Sequence, residues 1–262
     1  MVSDNVLGEF LKARRGRVPP SHAGLALPGR RRVAGLRRQE LARLAGISEP
    51  YLTRLEQGVD RHPSPQVLRA LARALELDAD ATAYLLSLAD APDAERPVES
   101  EVSADVHQLL EAWAGSPAYV RNRRFDVLAA NKPARALGPM YEPGHNLARD
   151  MFLEPAVRQL LPDWPEIAAQ TAAALRAEAD PRDPTTARLV AELEADEDFR
   201  RLWARHDARP SRDELKRFVH PVVGDLALRR QALTVGGAEH QVIIAYQAAP
   251  GSPSEAALAR LV

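Results

Sequence analysis

The 262-residue chain contains no cysteine. That excludes disulfides, thiol nucleophiles and cysteine-ligated zinc. No apolar run approaches the roughly 18 residues of a membrane span. The stretch from Met1 to Arg17 lacks the apolar core of a signal peptide. A soluble, cytoplasmic protein with no membrane partner is therefore expected. Catalytic signatures are scarce as well. The seven histidines form no HxH or HExxH pair, and neither a GxSxG elbow nor a glycine-rich phosphate loop occurs. Trp113, Trp164 and Trp203 read as core residues. The expectation is a non-enzyme with no catalytic residue, no metal site and no cofactor.

What is present is an uneven distribution of charge. The net charge is only −1, yet residues 1–75 carry 14 Lys and Arg against 6 Asp and Glu. Residues 76–262 carry 21 against 30. A basic N-terminal part is the electrostatic footprint of a phosphate-binding surface. Within it, Leu41 to Gly58 reads LARLAGISEPYLTRLEQG. Apolar residues at helical spacing run up to Gly46, which frees the backbone to end a helix. Ser48 can cap the next helix, Pro50 falls in its first turn, and Leu52 and Leu55 resume the apolar face. Two short helices joined by a tight turn make a helix-turn-helix, whose second helix can enter the DNA major groove. By spacing alone the same pattern also fits an ordinary αα-corner.

Three more helices are expected around this motif. Leu7, Phe10 and Leu11 mark the first, ending near Arg15. SPQVLRALARALEL begins with Ser64 as cap and buries Leu68, Leu71 and Leu75. DADATAYLLSLA turns Tyr84, Leu85 and Leu88 inward. Together, ELARLAGIS, YLTRLEQG and PSPQVLRALARALEL resemble the XRE family of lambda-repressor-like regulators, which implies a five-helix DNA-binding domain. On such a recognition helix, Glu49, Pro50 and Tyr51 lie in the turn facing base edges, the cap Ser48 joins the DNA-binding set, and Thr53, Arg54 and Gln57 lie on the outward face. Arg54 suits a bidentate contact to guanine, and Gln57 adenine or a phosphate. Arg37, Arg38 and Gln39 open the preceding helix as a phosphate clamp. Glu56 would repel DNA if exposed, and the resemblance pairs it with an arginine of the first helix, here Arg14. One departure from the pattern is the long interval from Gly16 to Gly35, with three prolines and the run Arg30-Arg31-Arg32. It reads as an arm along the phosphates or in a minor groove.

DAPDAERPVESEV has five acids and two prolines, a linker composition. The expected division is 1–90 for DNA binding, 91–102 for the linker and 103–262 for a second domain. In the latter, AYVRNRRFDVLAAN reads as a hairpin, 154–207 as helical, and LALRRQALTV with EHQVIIAYQA as a second hairpin around Gly236-Gly237. The fold class is thus mainly α with an α+β second domain, in which the last hairpin pairs with the first. NRRFDVLAANKPARAL, NLARDMFLEPAVRQLLPDW, DFRRLWARHDAR and HPVVGDLAL resemble the MmyB-like ligand-binding domain. That resemblance implies a PAS-like fold and an apolar pocket for a hydrophobic small molecule, a long-chain fatty acid being the class it suggests. Val127, Leu128, Phe152, Trp164 and Ile243 are the apolar candidates for its wall. Asn131, Arg149 and His220 are the polar ones, each reading as a structural hydrogen-bonder before a ligand contact. The expected partners are double-stranded DNA, that ligand and a second copy of the chain. The competing reading is a second domain that only dimerises.

Overall fold

The computed structural model describes residues 5–19, 35–89, 101–212 and 214–261. The N-terminal part is five helices, and local chemistry sets most of their ends. α1 (Val6–Arg17) starts on Asn5, whose Oδ1 accepts the Gly8 N–H at 3.1 Å. α2 (Arg38–Ala45) stops at Gly46, which takes the left-handed φ of +67° that a side chain would strain. α3 (Glu49–Glu56) starts on Ser48, with Pro50 in the first turn. α4 (Pro65–Ala74) starts on Ser64 and α5 (Ala79–Ser87) on Asp78, each side chain accepting an N–H of the first turn. Phe10, Leu11, Leu41, Leu52, Leu55 and Leu71 are fully buried between the helices. Each such side chain stabilises the domain by about 1.5–3 kcal/mol.

The second domain opens with α6 (Ala104–Ala112), capped by Ser103, and the hairpin β1 (Ala118–Asn122) and β2 (Val127–Ala130). α7 (Lys132–Leu137) and the 3-10 turn Pro139–Tyr141 follow. A helical run then comprises α8 (Leu147–Leu153), α9 (Pro155–Leu160), α10 (Trp164–Glu178), α11 (Pro184–Leu193) and α12 (Glu197–Trp203). The chain returns through β3 (Leu215–His220), β4 (Gly224–Val235) and β5 (Ala238–Ala248), and α13 (Pro253–Leu258) closes it. The sheet is antiparallel in the order β2-β1-β5-β4-β3. Its last hairpin, turning at Gly237 with φ +81°, pairs with its first through Tyr119↔Ile244. One face carries the main core against α8, α10 and α12, and α6 covers part of the other with Val106 and Leu110. No helix among the described residues is long and apolar enough to cross a membrane.

The two domains dock through the strap that leaves α12. Ala208 is buried in the core of the N-terminal helices. The Asp207 carboxylate accepts from Arg14 at 3.0 Å and from Arg17 at 2.6 Å. Arg209 pairs with Asp78 at 2.9 Å, and Arg212 pairs with Asp80. The backbone of the strap is tied to α10, because Ser211 N–H donates to Glu178 Oε1 at 2.8 Å.

Candidate nucleic-acid interface and ligand cleft

The α2–α3 pair presents an exposed polar surface. Arg37, Arg38, Gln39, Ser48, Glu49, Arg54 and Gln57 are exposed, and Tyr51 and Thr53 are half-buried. Several are already oriented. Ser48 Oγ accepts the Tyr51 N–H at 3.3 Å, and Thr53 Oγ1 donates to the Glu49 carbonyl at 3.0 Å. Arg54 lies 6.0 Å from the Tyr51 ring centroid and pairs with Asp60. The exposed guanidinium is therefore held by two weak contacts that a base edge could replace. Arg30, Arg31 and Arg32 lie outside the described residues.

Glu56 is indeed buried, with 1% of its side chain exposed, but its partner is Arg15 rather than Arg14. Arg15 Nε donates to Oε1 at 2.6 Å, Nη2 to Oε2 at 3.1 Å, and Nη1 to the Leu36 carbonyl at 2.9 Å. Arg38 Nε donates to the same carboxylate at 2.6 Å. The reason is helical phase. Arg15 is four residues beyond the buried Leu11 and faces α3, whereas Arg14 is four beyond Phe10, lies 6.0 Å from that ring and reaches Asp207. Arg38, read as a phosphate clamp, is in the first place the second ligand of Glu56.

A cleft of about 780 Å³ lies where the strap crosses the second domain. That volume falls within the usual range for small-molecule sites. Met140, Leu147, Met151 and Leu161 form its apolar side. Its sheet side carries three clustered tyrosines, Tyr119, Tyr141 and Tyr246, tilted or edge-on to one another with ring centroids 4.9–6.4 Å apart. Burial raises all three phenols, so they remain protonated donors. Three cations share that side. Arg121 pairs with Glu178 at 2.7 Å and stacks 4.1 Å from the Phe125 ring centroid. Lys216 lies 3.5 Å from Glu214. Arg230 Nη1 donates to the Arg212 carbonyl at 2.9 Å. Arg17, Asp78 and Asp80 of the N-terminal domain complete the rim.

None of the eight residues proposed from the sequence lines this cleft. Val127, Phe152 and Trp164 are packed in the main core, Phe152 against Phe199 at 5.0 Å between ring centroids. Trp164 Nε1 donates to the Met151 carbonyl at 2.8 Å. Leu128 and Ile243 belong to the small core on the opposite sheet face. Asn131 is structural. Its Oδ1 accepts from Ala118 and Ala134, and its Nδ2 donates to the carbonyls of Leu110, Trp113 and Ser116. Arg149 is no buried cation, because it sits half-exposed in an ion pair with Glu192. His220 ends a strand rather than preceding one. Its ring bonds the Ala136 carbonyl and takes the N–H groups of the following turn. The tyrosines and Arg121, Lys216 and Arg230 went unnoticed. Their signal is register, since Arg230 is in phase with the inward Leu226 and Leu228 of β4, and Arg121 with Tyr119 of β1.

A capped helix pair with an exposed second helix, next to a sheet domain holding a cleft, defines the class of helix-turn-helix regulators with a ligand-binding domain. Comparison with family models agrees at both ends. A helix-turn-helix domain model matches residues 6–96. The model of the MmyB-like transcription regulator ligand binding domain matches residues 102–261, and the chain belongs to that family. No curated protein matches the chain.

Proposed function

We propose that the chain is a one-component transcriptional regulator that binds a DNA operator as a homodimer and reads an apolar effector. Arg54 and Gln57 face the bases, and Arg37, Gln39 and the arm at Arg30–Arg32 face the phosphates. The effector is a hydrophobic small molecule, with long-chain fatty acid as its class, lodged in the cleft rather than among the packed core residues. The observation that carries this reading is the cleft itself, which combines an apolar side with polar groups and touches both domains. A domain that served only to pair two copies would have no need of such a space.

A single helix-turn-helix module buries only about 600–1,000 Å² on DNA, which favours two copies on a roughly palindromic site. Their recognition helices would then sit about 34 Å apart. The ligand can alter DNA affinity only by binding one arrangement of the dimer better than another. The test strips bound lipid, selects an operator from random duplexes and titrates a long-chain fatty acid while following operator affinity. A shift in that affinity supports the reading. Tight lipid binding with DNA affinity unchanged would leave the cleft without a sensing role.

A further inference from the structure

The cleft carries a charge imbalance. Arg121 and Lys216 each face a carboxylate, Glu178 and Glu214 respectively. Arg230 is 4% exposed, and among the described residues its partners are neutral, the Arg212 carbonyl and the Tyr119 hydroxyl. Taking a guanidinium out of water is costly unless a counter-charge sits beside it. The effect reaches its neighbour, since burial and the nearby Arg230 lower the Lys216 ammonium to about 8. An anion between the two cations would relieve both. Tyrosine hydroxyls flank this spot, and the apolar side formed by Met140, Leu147, Met151 and Leu161 lies across the same space. The chemistry is that of a receptor for an amphiphile with one anionic head.

We propose that Arg230, with Lys216 beside it, receives the anionic head of the ligand, and that seating this head draws Arg230 off the Arg212 carbonyl. The proposal rests on the ligand-cleft reading above and adds the head-group site and the route to the DNA-binding domain. Arg212 is the link. Its carbonyl meets the sheet through Arg230, while its guanidinium holds Asp80 in the first turn of α5. Upstream, Asp207 and Ala208 keep their own contacts. Releasing the carbonyl leaves 209–212 held to α10 by the Arg209 N–H on the Ala173 carbonyl and the Glu178 tie, and to α5 by two exposed ion pairs. Such pairs contribute little by themselves. The docking of the N-terminal domain is thereby loosened at the residue that bridges both domains.

The experiment compares dodecanoate with 1-dodecanol on the full-length, delipidated chain. The wild type is expected to bind the acid about ten- to a hundredfold more tightly, the usual strength of a charged hydrogen-bonded contact. Arg230→Gln should abolish that preference and leave the alcohol's affinity within about threefold of its original value. If circular dichroism shows that Arg230→Gln does not fold, Lys216→Gln is expected to weaken the acid alone. Hydrogen exchange should quicken in 78–82 and 208–212 with dodecanoate and not with dodecanol. Equal affinity for acid and alcohol in the wild type, or an acid preference that survives Arg230→Gln, overturns the head-group site while the cleft reading stands. Binding of neither compound removes both. Identical exchange with the two ligands overturns the release of Arg212.

Discussion

Arg15→Ala tests the frame that holds the recognition helix. Glu56 is almost wholly buried and shares its carboxylate between Arg15 and Arg38. Removing one partner of a buried ion pair costs about 3–5 kcal/mol, mostly because a charge is left without its counter-charge. Arg38 remains, half-exposed at 2.6 Å, and lowers that figure. The bond from Arg15 to the Leu36 carbonyl is lost as well, adding about 1 kcal/mol. The expected destabilisation is about 3–4 kcal/mol after both corrections. Urea unfolding of the full chain, followed by circular dichroism, measures it. Arg14→Ala is the control and should cost less than about 1 kcal/mol, since Asp207 keeps Arg17 at 2.6 Å. Replacing Arg15 and Glu56 together by methionine should hurt less than Arg15→Ala, because no buried carboxylate is then stranded. Equal losses for Arg14→Ala and Arg15→Ala would refute the assignment of the pair.

Arg54→Ala should weaken operator binding by about 1–3 kcal/mol and relax preference at one base pair, read by binding to an operator and its single-base variants. Asn131→Ala should cost about 2–4 kcal/mol in a thermal melt, since two buried N–H groups lose their acceptor and three carbonyls lose a shared donor at once. Burial and the nearby Arg176 lower His206 to about 4 from 6.5, so the unfolded chain binds more protons between those values. Stability should therefore fall by about 1–3 kcal/mol as pH drops through that window and not change on this account above it. His206→Asn, which suits the local φ of +51°, should flatten the dependence of the urea midpoint between pH 7 and pH 5.

The helix-turn-helix was legible because its signals are local. Ser48, Ser64 and Asp78 cap the helices they precede, and Gly46 adopts the conformation that ends one. The Gly236-Gly237 hairpin was legible for the same reason, and its pairing with β1 followed from strands lying at both ends of the domain. β3 was not, because its apolar Leu215 and Val219 face solvent while Lys216 turns inward, the reverse of the usual alternation. The choice between Arg14 and Arg15 depends on a turn of about 100° around α1, which spacing alone does not resolve. The cleft was missed for a different reason. Hydrophobicity selects Phe152 and Trp164 as readily for packing as for lining, and only the fold separates the two. An arginine at an inward strand position was the visible sign, at positions 121 and 230.

The ion pairs Arg209–Asp78 and Arg212–Asp80 are substantially exposed, with the arginines 67% and 73% accessible. Mobile ions screen such contacts, the Debye length being about 8 Å at physiological ionic strength. The same ions compete with the protein for DNA phosphates. On the proposed reading, in which docking governs operator affinity, a salt titration of operator binding follows two equilibria, counterion release from the duplex and undocking of the helical domain from the strap. Its logarithmic slope counts more than the phosphates in contact, and the helical domain freed of the strap would give a different slope with the same bases beneath it.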